Sequence, residues 1–224
     1  MKKMIFSALV MLFSMFAFQT NAQVKIGDIM GKSGTKGIVV YVDESGQHGL
    51  LMTVQAATKK QVLWADESYA SEKTGANDEN NGEKNTQTVV NYAKGKGLNL
   101  SEAFPLFDWA VNTCGEGWYI PASNELITMA NGITRNQLKG FSPKNKNIVQ
   151  IQKTLQKNKG YSLIGPADLL NWISSSTECT GEVNQCVALM SAPEKVLSKT
   201  SNIMLIPSKK TNKTMVAGRA FCKF

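Results

Sequence analysis

GWYIPASNEL, residues 117–126, changes character at its midpoint. The apolar, β-prone Trp118, Tyr119 and Ile120 predict a central strand, and Pro121 brings a preset φ that opens a helix reaching about Ala130. Glu125 falls in the first turn of that helix, where a carboxylate meets the positive end of the helix dipole. Upstream, Phe107, Ala110 and Val111 share one face of a helix expected over 104–113, which Gly115 and Gly117 end. Alternation along the strand places Trp118 in the core, while Tyr119 fits either the core edge or an exposed platform.

Working outward, residues 36–42 and 50–54 are apolar runs around a turn-rich 43–49, which predicts an opening β-hairpin over 36–54. Residues 65–97 are polar, with Asn, Asp and Gly clustered, and read as a long loop holding a short helix at 86–94. Ile148, Ile151 and Leu155 repeat at helical spacing, so 145–157 is expected as an amphipathic helix, followed by a second long loop over 159–182. Strands are expected at 183–190, 202–206 and 214–221, between turns rich in Pro, Ser, Lys and Asn. Early helices and late antiparallel strands make the class α+β.

The first 22 residues read as an export signal. Lys2 and Lys3 give the charged start, 5–18 the apolar stretch, and Thr20-Asn21-Ala22 the small-residue cleavage pattern. That apolar run of about 14 residues is short of the roughly 20 that span a bilayer, and no Cys follows for lipid attachment. The rest, 23–224, reads as one exported domain without a membrane span. The formal charge is +8, with 25 Lys and Arg against 17 Asp and Glu. The lysines are scattered and lack the interleaved aromatics that stack bases, which argues for solvated faces and against nucleic acid.

Cys114, Cys179, Cys186 and Cys222 form an even set in an exported chain, so two disulfides are expected. Four cysteines allow three pairings. The short Cys179–Cys186 spacing suits a local clasp, which leaves Cys114–Cys222. A zinc site would need more than one His and paired C-x-x-C motifs. The single histidine, His48, lies in a tight GQHG turn, so no Ser–His triad can be assembled. Asp66 with Glu67, Asp78 with Glu79, and Glu178 are the carboxylates a glycosidase could use, but sequence proximity does not set the required separation. Asn77, Asp78, Asn80, Asn81 and Asn85 gather the hard oxygen ligands calcium prefers, without EF-hand spacing, and the same residues form Asx turns.

Four strings in fixed order, GTKGIVVYVDESGQHGLLM at 34–52, GANDENNGEKNT at 75–86, GWYIPASNEL at 117–126, and STE with the closing GRAFCKF, resemble the Lcl-type C-terminal domain family of secreted bacterial proteins. The resemblance implies a C-type-lectin-like α+β domain with an antiparallel sheet, two to three helices and long loops. It implies a tie between an early helix region and the terminal strand, in keeping with Cys114–Cys222, and a turn role for His48. Glu178 and Arg219 match family positions, which implies a buried ion pair. The family's Tyr-Trp pair ahead of the serines is altered here, since Trp172 is followed by Ile173 and then Ser174, Ser175 and Ser176. The E-P-N or Q-P-D string of calcium-dependent sugar-binding lectins is missing.

The expected function is a secreted or surface-exposed, non-enzymatic binding or adhesion module. Its long loops would meet a glycan or protein partner, with Tyr119, Trp172, Asp78, Asn81 and Asn85 as binding candidates and no resident cofactor beyond the calcium alternative. Two other expectations stand beside it: an oxidase related to formylglycine-generating enzymes, which needs a reactive cysteine pair, and a structural subunit of a surface appendage.

Overall fold

Sheet strands that read as continuous apolar runs are strands covered on both faces, and GIVVYV belongs to such a strand. The computed structural model describes residues 23–134, 145–163, 171–191, 203–212 and 218–224; the expected export signal lies outside them. Strands β1 (Ile29–Lys32), β2 (Thr35–Val42), β3 (Gly49–Thr53) and β7 (Phe221–Lys223) form an antiparallel sheet in the order β1-β2-β3-β7. A second antiparallel sheet has the order β4-β5-β6, from β4 (Asn171–Glu178), β5 (Gln185–Ser191) and β6 (Ile203–Lys209). Five helices accompany them among the described residues: α1 (Gly82–Gly95), α2 (Leu100–Ala103), α3 (Pro105–Asp108), α4 (Ser123–Thr134) and α5 (Lys146–Lys157). The architecture is α+β with two antiparallel sheets.

The first sheet is the middle layer. Val39, Leu51 and Cys222 pack with Val89 and Ala93 of α1 and with Leu106 and Phe107 of α3. Ile38, Met52 and Phe221 pack with Leu126 and Met129 of α4, with Ile148, Ile151 and Leu155 of α5, and with Ile173 and Leu189 of the second sheet. A bulge between Val39 and Tyr41 shifts the β2–β3 register. The expected hairpin is thus present, with an added strand on each side.

Four secondary-structure expectations are corrected. Residues 118–120 form no strand, only a single bridge in which Tyr119 and Phe221 exchange backbone bonds of 3.0 and 2.8 Å. The flanking donors go elsewhere, Trp118 N to Gly115 O and Ile120 N to the Thr86 hydroxyl, so no ladder can extend. Residues 65–97 are not one loop, because Asn81 caps α1 by accepting from Lys84 N and the helix runs 14 residues, beyond the expected 86–94. Residues 171–178, expected within a loop, are β4; its serine run is buried, with the Ser175 hydroxyl donating to Val187 O and that of Ser176 to Pro121 O. Of the strand expected at 214–221, residues 218–220 hold only an isolated bridge at Gly218 and β7 lies at 221–223, while 213–217 fall outside the described residues.

The expected bridges Cys114–Cys222 and Cys179–Cys186 are not formed: all four cysteines are free thiols. Cys114 and Cys222 are packed as small apolar side chains in the same core cluster. Burial favours the neutral thiol, and Cys114 and Cys186 are each pushed up to about 12. No described helix is long and apolar enough to cross a membrane.

Candidate functional site

Arg219 is 1 % exposed and follows Gly218, whose backbone pairs with Ala57. Its Nη1 donates to Thr53 O at 2.9 Å, Val54 O at 3.2 Å and Gln55 O at 3.4 Å, and its Nη2 to Tyr161 O at 2.8 Å and Ser162 O at 3.1 Å. One guanidinium therefore fixes the chain leaving β3 against the chain leaving α5. Burial pushes Arg219 down to about 10. Gln55 Nε2 adds a bond to Lys159 O at 3.1 Å, and Tyr161 N one to Val54 O at 3.1 Å.

These ties shape one side of a cleft of about 350 Å³ between the start of β2, the exit of β3, the end of α5 and the π-helical turn Trp109–Cys114. Thr35 Oγ1 closes the far side by donating to Cys114 O at 2.7 Å. Lys36, Gln55, Trp109, Thr113 and Asn158 line the space, giving one cation, two carboxamides, a hydroxyl and an indole edge. Such a mix of apolar wall and a few polar groups suits a small organic ligand or the end of a chain.

A smaller cleft of about 200 Å³ lies over Glu178, between Lys73, Asn77, Cys179 and Val183. The expected pair of Glu178 with Arg219 is not made. Glu178 instead accepts from Lys210 Nζ and from the N–H groups of Thr74 at 3.2 Å and Gly75 at 2.9 Å. Lys210 also donates to Glu72 O at 2.7 Å and sits 4.4 Å from the Trp64 ring centroid. Arg219 meets carbonyls while Lys210 takes the acid, a choice that only the packing of β6 against β5 could make.

The binding candidates are not gathered at either cleft. Tyr119 is buried and donates its hydroxyl to Glu125 Oε1 at 2.8 Å, which settles it in the core. Glu125 Oε2 accepts from Gly82 N and Ala122 N at 3.0 and 2.8 Å, joining the starts of α1 and α4. Trp118 is buried, with Nε1 donating to Lys32 O. Trp172 has its backbone in β4 opposite Met190, and its side chain lies outside the described residues. His48 is exposed in its turn.

Of the calcium candidates, Asp78, Asn80, Asn81 and Asn85 have their side-chain oxygens engaged. Asp78 Oδ1 accepts from Asn80 N and Asn81 N, and Oδ2 pairs with Lys84 at 3.2 Å. Asn81 Oδ1 accepts from Lys84 N, Asn85 Oδ1 from Asp78 N, and Asn80 Oδ1 from Asn124 Nδ2. The Asx-turn reading describes this segment. Among the described residues no three His, Cys, Asp or Glu side chains are grouped as metal ligands. Asp66 caps the turn at Glu67–Tyr69 by accepting from Ser68 N.

Of the residues singled out in the sequence only Cys114 borders the larger cleft, and only Glu178, Cys179 and Asn77 the smaller. The lining comes from stretches more than a hundred residues apart, and no local pattern marks it. Comparison with models of known protein families and with curated proteins finds no match.

Proposed function

We propose that the chain is an exported, C-type-lectin-like binding module that recognises a glycan or protein partner without turning it over. The observation that carries the reading is the 350 Å³ cleft, whose mixed lining includes one wall pinned by Arg219 and another tied by Thr35 to Cys114. Rigid walls lower the ordering cost of binding. The fold assignment draws support from the placing of the terminal strand, which Tyr119, just past the π-helical turn, meets through paired backbone bonds to Phe221 without the disulfide that the family resemblance implies. Binding is favoured over thiol chemistry because Cys114, Cys186 and Cys222 are buried, and burial raises their thiols and starves them of nucleophilic thiolate.

The cleft, in place of the long loops, is the recognition surface in this reading. The test is saturable binding to an array of glycans and extracellular matrix proteins, repeated with Gln55→Trp and Thr113→Trp, two exposed positions where an indole fills the cleft. Each should weaken the captured ligand by at least about tenfold, roughly 1.4 kcal/mol, with the far-ultraviolet spectrum unchanged. An array that stays blank at high protein concentration, or binding indifferent to both substitutions, defeats the proposal.

A further inference from the structure

We propose that the larger cleft binds the C-terminal end of a polypeptide partner, with the partner's carboxylate against the Lys36 ammonium and the Trp109 indole N–H. The inference rests on the cleft being the recognition surface and narrows what that surface takes. Trp109 is 4 % exposed and lines the cleft. The indoles of Trp64 and Trp118, also buried, donate to the carbonyls of Ser175 and Lys32, each at 3.1 Å. Among the described residues Trp109 Nε1–H has no acceptor, yet no buried side-chain nitrogen or oxygen is left without a partner, so this N–H opens on solvent. A donor held rigidly by the core and reached by water bonds a ligand's acceptor at little ordering cost.

The other lining groups fix the chemistry of the ligand. Lys36 has an exposed side chain and is the one charged residue among the described lining, which holds no Asp or Glu. Thr113, in the π-helical turn, adds a hydroxyl. Ammonium, indole N–H and hydroxyl are donors, and a carboxylate accepts from all three. The carboxamides are complementary: Gln55 spends Nε2 on Lys159 O at 3.1 Å and Asn158 its Nδ2 on Thr154 O at 2.9 Å, so each brings an oxygen acceptor. The last carbonyls of α5 are taken by the backbone N–H groups of Asn158, Lys159 and Gly160, so the helix end sets no bare oxygens against an anion.

A peptide end carries the matching pattern, a carboxylate for the donors and the amide N–H groups just before it for the carboxamide oxygens. A sugar ring packs its C–H face on the flat of an aromatic side chain. Trp109, the one aromatic residue in the described lining, is too deeply buried to offer its face. The cleft's volume of about 350 Å³ lies near the lower end of the roughly 300–1,000 Å³ of ligand pockets, which gives room for the last residues of a chain and not for a folded element.

The test measures saturable binding to pools of short random-sequence peptides, presented once with free carboxyl ends and once amidated, with glucuronate-containing oligosaccharides alongside. Binding is expected to the acid pool, and amidation should weaken it at least about tenfold, the loss that follows removal of a hydrogen-bonded charge. Lys36→Gln should weaken it as much, and Trp109→Phe, which keeps a ring and removes the N–H, should lower it too. Lys153→Gln, the same charge change at an exposed position of α5 outside the cleft lining, should leave it unchanged. Equal binding of the two pools, acid-pool binding indifferent to Lys36→Gln, or capture of the oligosaccharides in place of the peptides would each overturn the assignment. Glycan or matrix binding that Gln55→Trp and Thr113→Trp weaken, with both peptide pools blank, overturns it while the recognition surface stands. Lys36→Gln alone decides the matter should Trp109→Phe not fold.

Discussion

Lys210 is 1 % exposed, and its ammonium is satisfied by the Glu178 carboxylate, the Glu72 carbonyl and the face of Trp64. Buried pairs of this kind are costly to break, because the survivor keeps its charge and loses its compensation. Lys210→Met should therefore cost about 3–5 kcal/mol in urea unfolding. Adding Glu178→Leu should recover part of the loss, and a single substitution costing under about 1 kcal/mol would show that the pair carries little. The thiols give a second prediction. Cys114 and Cys186 have folded pKa values of about 12 against an ordinary 9.0, so the folded protein holds protons that the unfolded chain releases. Stability is then full below about pH 9 and falls as pH climbs toward 12. Under reducing conditions, Cys114→Ala with Cys186→Ala should flatten that decline, and an unchanged slope between pH 9 and 12 would refute the cause.

At the scale of elements, α1 begins where three separate constraints coincide. Asn81 caps it, Glu125 from α4 accepts from Gly82 N, and a Cβ on Gly82 would stand 2.4 Å from Ile120 O and 2.5 Å from Ala122 N. Asn81→Ala removes the cap alone and should cost about 1 kcal/mol. Because Asp78, Asn80 and Asn81 spend their side-chain oxygens on this junction, a chelator should leave the thermal midpoint of both proteins unchanged. A midpoint that rises with added calcium and falls on chelation would restore the metal reading. The hairpin, α5 and the core helices were legible in the sequence because periodicity is a property of neighbours. β4 was not legible: a Ser-Ser-Ser run reads as loop until its hydroxyls find Val187 O and Pro121 O from distant chain.

Over the whole molecule, the C-terminal strand closes the middle layer. β7 pairs with β3, Tyr119 bridges to Phe221, and Arg219 just before it pins the wall of the cleft at the exit of β3. Removing 221–224 should therefore leave no cooperative unfolding transition, and a truncated chain that still melts in one sharp step would show that the sheet closes without it. The order of early helices and late strands carried the α+β class from the residues, while the number of helices and the second sheet emerged only on folding.

The sequence by itself determined the α+β class, the opening hairpin, the amphipathic α5 and the Asx turns of the Asn-rich segment, since each depends on residues within a few positions of one another. The tertiary structure alone decided that Glu178 takes Lys210 and not Arg219, that Tyr119 is buried, and that Lys36, Gln55, Thr113 and Asn158 share a cleft. The reason is physical: a buried charge takes whichever partner the packed layers bring within reach, and a cavity is the space that several distant segments fail to fill. Neither quantity is written in any single stretch of chain.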